Sequence, residues 1–120
     1  MTAKPAASSA SRQFAEHIAD LLRPLGDVSV ARFFGGQQLR VGSEQLAMVH
    51  DGELYFRVGA ESLREELRQA GGEAFSYTSS KRTVTAQRYF GAPADWIEDP
   101  ERLLDFARRN LADLLVETQK

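Results

Sequence analysis

The sequence predicts an α+β domain with a single antiparallel sheet of about five or six strands. N- and C-terminal helices and one short helix are expected to pack on one face of that sheet. Three observations lead to this prediction. Apolar residues recur at helical spacing near both ends of the chain, and short apolar runs separated by glycine turns fill the middle. The connections between those runs are shorter than the crossovers that parallel strands need.

The first helix is predicted from one apolar stripe. Its members recur every three or four residues: Phe14, Ile18, Leu21, Leu22 and Leu25. Ser11 is the expected N-cap, and Pro24 with Gly26 is expected to end the helix. Residues 1–10, rich in Ala and Ser, are expected to form a flexible tail that lacks the apolar core of a secretory signal. Residues 11–120 are expected to form one domain.

Four strands are predicted next, and each ends at a turn signal. They cover residues 28–34, 38–41, 46–50 and 54–58. Asp51-Gly52 is the clearest hairpin signal, because both residues tolerate the positive φ of a type I′ turn. Gly35-Gly36 is expected to make a bulge or tight bend after a buried Phe33 or Phe34, because glycine reaches φ values closed to other residues.

The second half is predicted as a short helix, a hairpin and a long helix. The short helix covers 62–70 and is closed by Gly71-Gly72, and strands over 76–78 and 83–90 flank a turn at 79–82. Asp99 as N-cap and Pro100 at the first helical position begin the last helix. Its expected buried stripe consists of Leu103, Leu104, Ala107, Leu111, Leu114 and Leu115.

Composition narrows the function classes. The 120 residues fit one domain, and the absence of cysteine excludes disulfides and thiolate metal sites. A net charge of −2 and a pI near 5.7 argue against a dedicated nucleic-acid binder, which usually has a pI above about 9. No apolar run approaches the ~20 residues of a membrane span, so a cytoplasmic location with no membrane contact is expected.

Residue patterns favour a protein that is not an enzyme and holds no metal or cofactor. His17 borders the first helical stripe and His50 precedes a turn, so neither has a nucleophile or a second ligand at a useful spacing. The acidic residues of 65–66 and 95–99 are explained by solvation and helix capping. The glycine pairs match no phosphate-binding loop.

Basic and aromatic residues leave binding functions open. Lys81 and Arg82 are placed at a hairpin tip, with Arg88 further along and Arg108-Arg109 on the last helix. If folding gathered them into one patch, they would favour direct nucleic-acid binding; a deep pocket between sheet and helices would favour a small-molecule sensor or an enzyme. The strand aromatics either form core or offer stacking platforms: Tyr55, Phe56, Phe75, Tyr77, Tyr89 and Phe90.

A set of motifs resembles the N-terminal domain of the TfoX/Sxy competence regulators. The segments that carry the resemblance are Arg32-Phe33-Phe34-Gly35-Gly36, residues 46–49, residues 52–58, Phe75-Ser76-Tyr77, Pro93, Glu98-Asp99-Pro100 and residues 103–111. They cover nearly everything from Phe14 to Leu115. The chain departs from the family at Phe33, where Met is common, at Gln37-Gln38, where Tyr-Gly is common, and at Gly42-Ser43, where Asp-Gly is common. The family's full-length regulators also carry a C-terminal helical domain, and this chain is expected to be a standalone N-terminal domain.

The resemblance implies a bacterial domain that regulates genes for DNA uptake with a protein partner, a transcription factor such as the cAMP receptor protein. Strong direct DNA binding is not expected. A homodimer through a strand edge or the terminal helix is a further expectation. The residues singled out as the candidate partner surface are Arg32, Phe34, Gly35, Gly36, Lys81, Arg82 and Arg88.

Overall fold

The computed structural model describes residues 4–79 and 81–118. They form four α-helices, one 3-10 turn and six strands. The helices are α1 (Lys4–Leu21), α2 (Glu61–Gln69), α3 (Ala94–Ile97) and α4 (Pro100–Thr118), and the 3-10 turn is Arg23–Leu25. The strands are β1 (Val28–Phe33), β2 (Gly36–Val41), β3 (Glu44–His50), β4 (Glu53–Arg57), β5 (Ala74–Ser79) and β6 (Arg82–Gly91).

A single antiparallel sheet with the order β1-β2-β3-β4-β6-β5 organises the domain. The predicted α+β fold is therefore confirmed. Each neighbouring pair except β4–β6 is a hairpin, as expected for short connections. Among the described residues, no helix is long and apolar enough to cross a membrane.

Helix α1 begins earlier than predicted. It starts at Lys4, so the prediction that Ser11 is the N-cap is wrong, and the predicted tail overlaps the helix from Lys4 onward. The alanine-rich sequence around Ala10 explains the extension, because alanine has the highest helix propensity. Residues 1–3 of the predicted tail lie outside the described residues. The helix ends at Leu21, before a 3-10 turn that contains Pro24.

Two hairpin turns have positive φ at both central residues. Asp51 and Gly52 have φ of 54° and 81°, which confirms the type I′ turn predicted for this dipeptide. In the β1–β2 turn the central residues are Phe34 and Gly35, with φ of 47° and 77°. Gly36 already belongs to β2, so the glycine at positive φ is Gly35.

The hydrophobic core lies between the sheet and the helices. Phe56 of β4, Phe106 of α4 and Trp96 of α3 meet at its centre, with ring centroids 5.0 Å and 5.4 Å apart. Helix α3 was not predicted, and it brings the single tryptophan of the chain into this core. On α4 the N-cap is confirmed, since the Arg102 amide donates to Asp99 Oδ1 at 3.3 Å.

The buried face of α4 differs from the predicted stripe. Buried residues on it are Leu103, Phe106, Ala107, Asn110 and Leu114, whereas Leu115 is 42% exposed. Leu115 follows Leu114 by one residue, a rotation of about 100° around the helix that carries it off the buried face. The buried Asn110 donates from Nδ2 to the Arg57 carbonyl oxygen at 2.9 Å and so ties α4 to β4.

Candidate functional site: an aromatic groove on the open face of the sheet

Strand alternation distributes the aromatic residues over both faces of the sheet. Phe56 and Phe90 pair across β4 and β6 and point into the core under the helices. Their neighbours Tyr55 and Tyr89 therefore point to the opposite face of the sheet, which the helices do not cover and which we call the open face. The expectation of a core role holds for Phe56 and Phe90, but Tyr55, Phe75, Tyr77 and Tyr89 lie outside the helix-covered core.

The sheet curves strongly toward its open face. Phe33 in β1 and Tyr89 in β6 belong to strands four positions apart, a separation of roughly 19 Å in a flat sheet at about 4.8 Å per strand. Their ring centroids are only 6.1 Å apart. The open face is therefore concave, and side chains from opposite ends of the sheet approach each other inside it.

A large bulge folds the β5–β6 hairpin over this concavity. Ala74 pairs with Phe90, but the next residue, Phe75, pairs with Ala86, so three residues of β6 have no partner in β5. Bulges bend the strand that contains them. As a result the Phe75 ring lies 5.1 Å from His50 of β3, although β4 and β6 separate these strands in the sheet.

These two distortions enclose a cavity of about 300 Å³, which we call the aromatic groove. Its lining residues are Phe34, Met48, His50, Phe75, Tyr77, Ala86 and Tyr89. Met48 is 2% exposed, whereas Tyr77 is 47% and Phe34 is 81% exposed. The groove is thus lined mainly by apolar and aromatic side chains, buried at Met48 and open to solvent at Phe34 and Tyr77.

Phe34 has an unfavourable backbone and an exposed side chain. For a bulky residue a φ of 47° is a genuine outlier, and left-handed geometry costs roughly 1–2 kcal/mol. The ring packs edge-on against Phe33, with centroids 4.8 Å apart, and remains largely exposed. The expectation that Phe33 or Phe34 is buried is therefore wrong, since Phe33 is only half-buried and Phe34 lies in the turn itself. Neither core burial nor backbone preference explains this residue, and such outliers cluster at functional sites.

A polar network holds Tyr89 in place. The Tyr89 hydroxyl donates to Gln45 Oε1 at 3.0 Å, and Arg57 Nε donates to the Gln45 carbonyl oxygen at 2.8 Å. Arg57 also forms an ion pair with the largely buried Glu44, whose carboxylate accepts a hydrogen bond from the Thr118 hydroxyl at 3.0 Å. The end of α4 is thereby fastened to the sheet beside Tyr89.

A second cavity, of about 420 Å³, lies next to the aromatic groove and is polar. Glu53, Tyr55 and Glu73 line it. Tyr55 separates the two cavities, because its ring also contacts Phe75 with centroids 5.0 Å apart. Burial, followed by the charges of Glu53, Asp51 and Glu73, raises the pKa of the Tyr55 hydroxyl. One side of the groove is thus flanked by carboxylates.

Of the residues predicted as a partner surface, Phe34 lies in the groove and Gly35 and Gly36 shape the turn that holds it. Arg32 is exposed on β1, next to Phe33 and therefore on the opposite face of the strand. Lys81 and Arg82 lie exposed at the tip of the β5–β6 hairpin.

The predicted basic residues do not combine into one free patch. Arg88 forms an ion pair with Glu117 of α4 at 3.0 Å, and Arg109 binds both carboxylate oxygens of Glu66 of α2 at 2.7 and 2.8 Å. Their charges are therefore largely neutralised.

Sequence reasoning missed Met48, His50 and Ala86 as groove residues. Met48 pairs directly with Tyr55 across β3 and β4, so the two side chains share the open face. The sequence alone does not reveal this register, and Met48 could not be placed without it. Within residues 4–79 and 81–118, no group of three or more His, Asp or Glu side chains lies close enough to hold a metal ion. That the protein holds no metal or cofactor stays a prediction.

Residues 20–114 match the model of the TfoX N-terminal domain family. The matched segment contains all six strands and every residue of the aromatic groove. No curated protein matches the chain.

Proposed function

This chain belongs to the TfoX N-terminal domain family, and we propose that it is a non-enzymatic regulatory domain that binds a protein partner through the aromatic groove. The family suggests a role in regulating competence genes, and a cytoplasmic transcription factor of the cAMP receptor protein type is the expected partner. The groove supplies a binding surface that needs no catalytic or metal chemistry.

The observation that carries the proposal is Phe34, an 81% exposed aromatic ring in a left-handed turn at the mouth of an apolar cavity. Aromatic anchors in sites that become desolvated dominate the energetics of protein interfaces. Phe34 and the half-exposed Tyr77 lie on two different hairpins, so they can contact one inserted side chain from two directions. A binding role gives a reason for the strained conformation.

The charges beside the groove specify the partner further. Glu53 and Glu73 flank it across Tyr55. We therefore expect the partner to insert an apolar or aromatic side chain that is followed by a lysine or arginine, since complementary charge fixes the register of an interface.

Direct binding of duplex DNA is less well supported. Binding to DNA comes mostly from phosphate neutralisation, and Arg88 and Arg109 are already paired with carboxylates. Of the predicted basic residues, Lys81 and Arg82 at the hairpin tip and the exposed Arg108 on α4 remain, in a chain of net charge −2. We expect such binding to disappear at physiological salt.

The test uses fluorescence anisotropy with a labelled cAMP receptor protein bound to its DNA site at about 150 mM salt. Phe34→Asn keeps a residue that tolerates the turn and removes the ring, and we expect it to weaken binding at least about tenfold. Val116→Ser, at a 59% exposed position on α4 outside the groove, is the matched control and should bind like the parent.

Three results would contradict the proposal. Equal affinity of the Phe34→Asn variant and the parent would remove the groove as the binding surface. An absence of binding by the parent chain would remove this receptor as the partner. Binding of bare labelled duplex tighter than roughly micromolar, lost in a Lys81→Ala, Arg82→Ala variant, would favour nucleic-acid binding instead.

A further inference from the structure

The two edges of the open sheet differ in how they are protected. An edge strand presents unpaired backbone groups that can pair with another strand, and charged side chains or proline usually prevent this. At one edge, β1 packs against α1 and carries the exposed Arg32. At the other edge, the six residues of β5 include no charge and no proline, and Ser76, Tyr77 and Thr78 are exposed. Beyond the bulge at Ala74, strand β5 is therefore the edge open to pairing.

Opposite charges lie at the two ends of this edge. Glu73 precedes β5, and Lys81 with Arg82 follows it, all three exposed. In the part of the chain that the structure describes, neither Glu73 nor Lys81 forms an ion pair. If two copies of β5 pair antiparallel, the acidic start of each strand lies beside the basic end of the other. The edge strand β5 is thus complementary in charge to β5 of a second copy of this chain.

We propose that the chain forms a symmetric homodimer in which β5 pairs antiparallel with β5 of a second copy. In the proposed register Tyr77 lies opposite Tyr77 of the partner subunit. This brings Glu73, just before β5, toward Lys81 of the partner subunit, which lies in the turn after β5. A twofold axis requires every contact to occur twice, and the residue that lies opposite its own counterpart marks the axis. Centring the register on Tyr77 brings the most exposed large apolar residue of the strand, which is 47% exposed, next to its counterpart.

This arrangement would join the two sheets into one continuous sheet. Residues directly opposite in an antiparallel pair lie on the same face, so both aromatic grooves would open on the same side of the dimer. The two Tyr77 rings would lie between them at the axis. The assembly goes beyond the proposed function and does not depend on it, because it requires only the purified chain.

Sedimentation velocity on the purified chain at about 100 µM tests the proposal, a concentration that populates interfaces with micromolar dissociation constants. The expected mass is twice the 13.3 kDa of one chain. Glu73→Lys and Lys81→Glu each bring like charges near one another at both ends of the paired strands, and we expect each to raise the dissociation constant at least about tenfold. Arg32→Glu on β1 is the control for the other edge and should leave the dimer intact.

Mixing the two charge-reversed variants makes the test specific for the register. The Glu73→Lys variant has lysine at both positions, 73 and 81, and the Lys81→Glu variant has glutamate at both. Heterodimers of the two variants should therefore form with near-parental affinity. The double variant Glu73→Lys, Lys81→Glu should also recover the homodimer. A monomeric parent chain, undiminished dimerisation of the single variants, or a mixture that stays monomeric would each overturn the proposal; circular dichroism of each variant verifies that it is folded.

Discussion

Gly36 is expected to tolerate no side chain, for a reason that involves the neighbouring strand. A Cβ atom at Gly36 would lie 2.1 Å from the Val49 carbonyl oxygen and 3.3 Å from the Cα of His50. Both contacts are with the backbone of β3, which cannot rotate away as a side chain can. Gly36→Ala must therefore separate β2 from β3 next to the Gln37–Val49 pair.

The cost is estimated from the contacts that must change. Overpacking in a close-packed region costs typically 1–3 kcal/mol, and losing a backbone hydrogen bond adds about 1 kcal/mol. The alanine recovers about 0.4–1 kcal/mol through the lower entropy of the unfolded chain. We therefore expect Gly36→Ala to lower the free energy of unfolding by about 1–3.5 kcal/mol.

The adjacent Gly35 supplies the matched control. It has a φ of 77°, but a Cβ there would meet no atom within 4 Å, so its requirement is conformational rather than steric. Asparagine tolerates left-handed geometry, so Gly35→Asn should change stability by less than about 1 kcal/mol, whereas Gly36→Asn should be at least as costly as Gly36→Ala. Urea unfolding followed by the fluorescence of the buried Trp96 measures all three variants. A Gly36→Ala protein within about 0.5 kcal/mol of the parent would refute the steric argument.

Two further predictions concern the groove and the helical layer. Phe34→Asn should raise the free energy of unfolding by about 0.5–1 kcal/mol, because it relieves a bulky residue at φ 47° and creates an Asn-Gly type I′ turn; a thermal midpoint below that of the parent would contradict this. Hydrogen bonds from Arg109 lower the pKa of the Glu66 carboxyl from its usual 4.5, so the stability from this pair is present above pH 4.5 and is lost as the pH falls through the lowered value. The free energy of unfolding of Glu66→Gln should therefore fall less than that of the parent when the pH is lowered below 4.5. The difference should be a few tenths of a kcal/mol, because the pair is exposed, and parallel acid-unfolding profiles of the two proteins would argue against this prediction.

Several features of this protein could be predicted from the sequence because a few neighbouring residues decide them. The Asp51-Gly52 turn depends on two residues that tolerate positive φ, and the α4 start depends on Asp99 accepting a hydrogen bond from an amide three positions on. Apolar periodicity placed α2 and the six strands to within a few residues. The antiparallel sheet followed from the short connections.

Boundaries set by several weak preferences were less predictable. The beginning of α1 depends on alanine propensity competing with a cap at Ser11, and propensity extended the helix. The short helix α3 is only four residues long and has no periodicity to detect, so the burial of Trp96 could not be foreseen.

The aromatic groove depends on contacts between strands that are far apart in the sequence. The alternation of side chains along one strand shows which residues share a face. Whether that face is the core side or the open side of the sheet depends on how the strand pairs with its neighbouring strands. The register shift between Ala74 and Phe75 is seen only from the pairing of β5 with β6. The approach of Phe33 to Tyr89 requires the curvature of the whole sheet. Local preferences therefore specify turns, caps and strands, whereas the concave face that exposes Phe34 arises from strand register and sheet curvature, which no single segment contains.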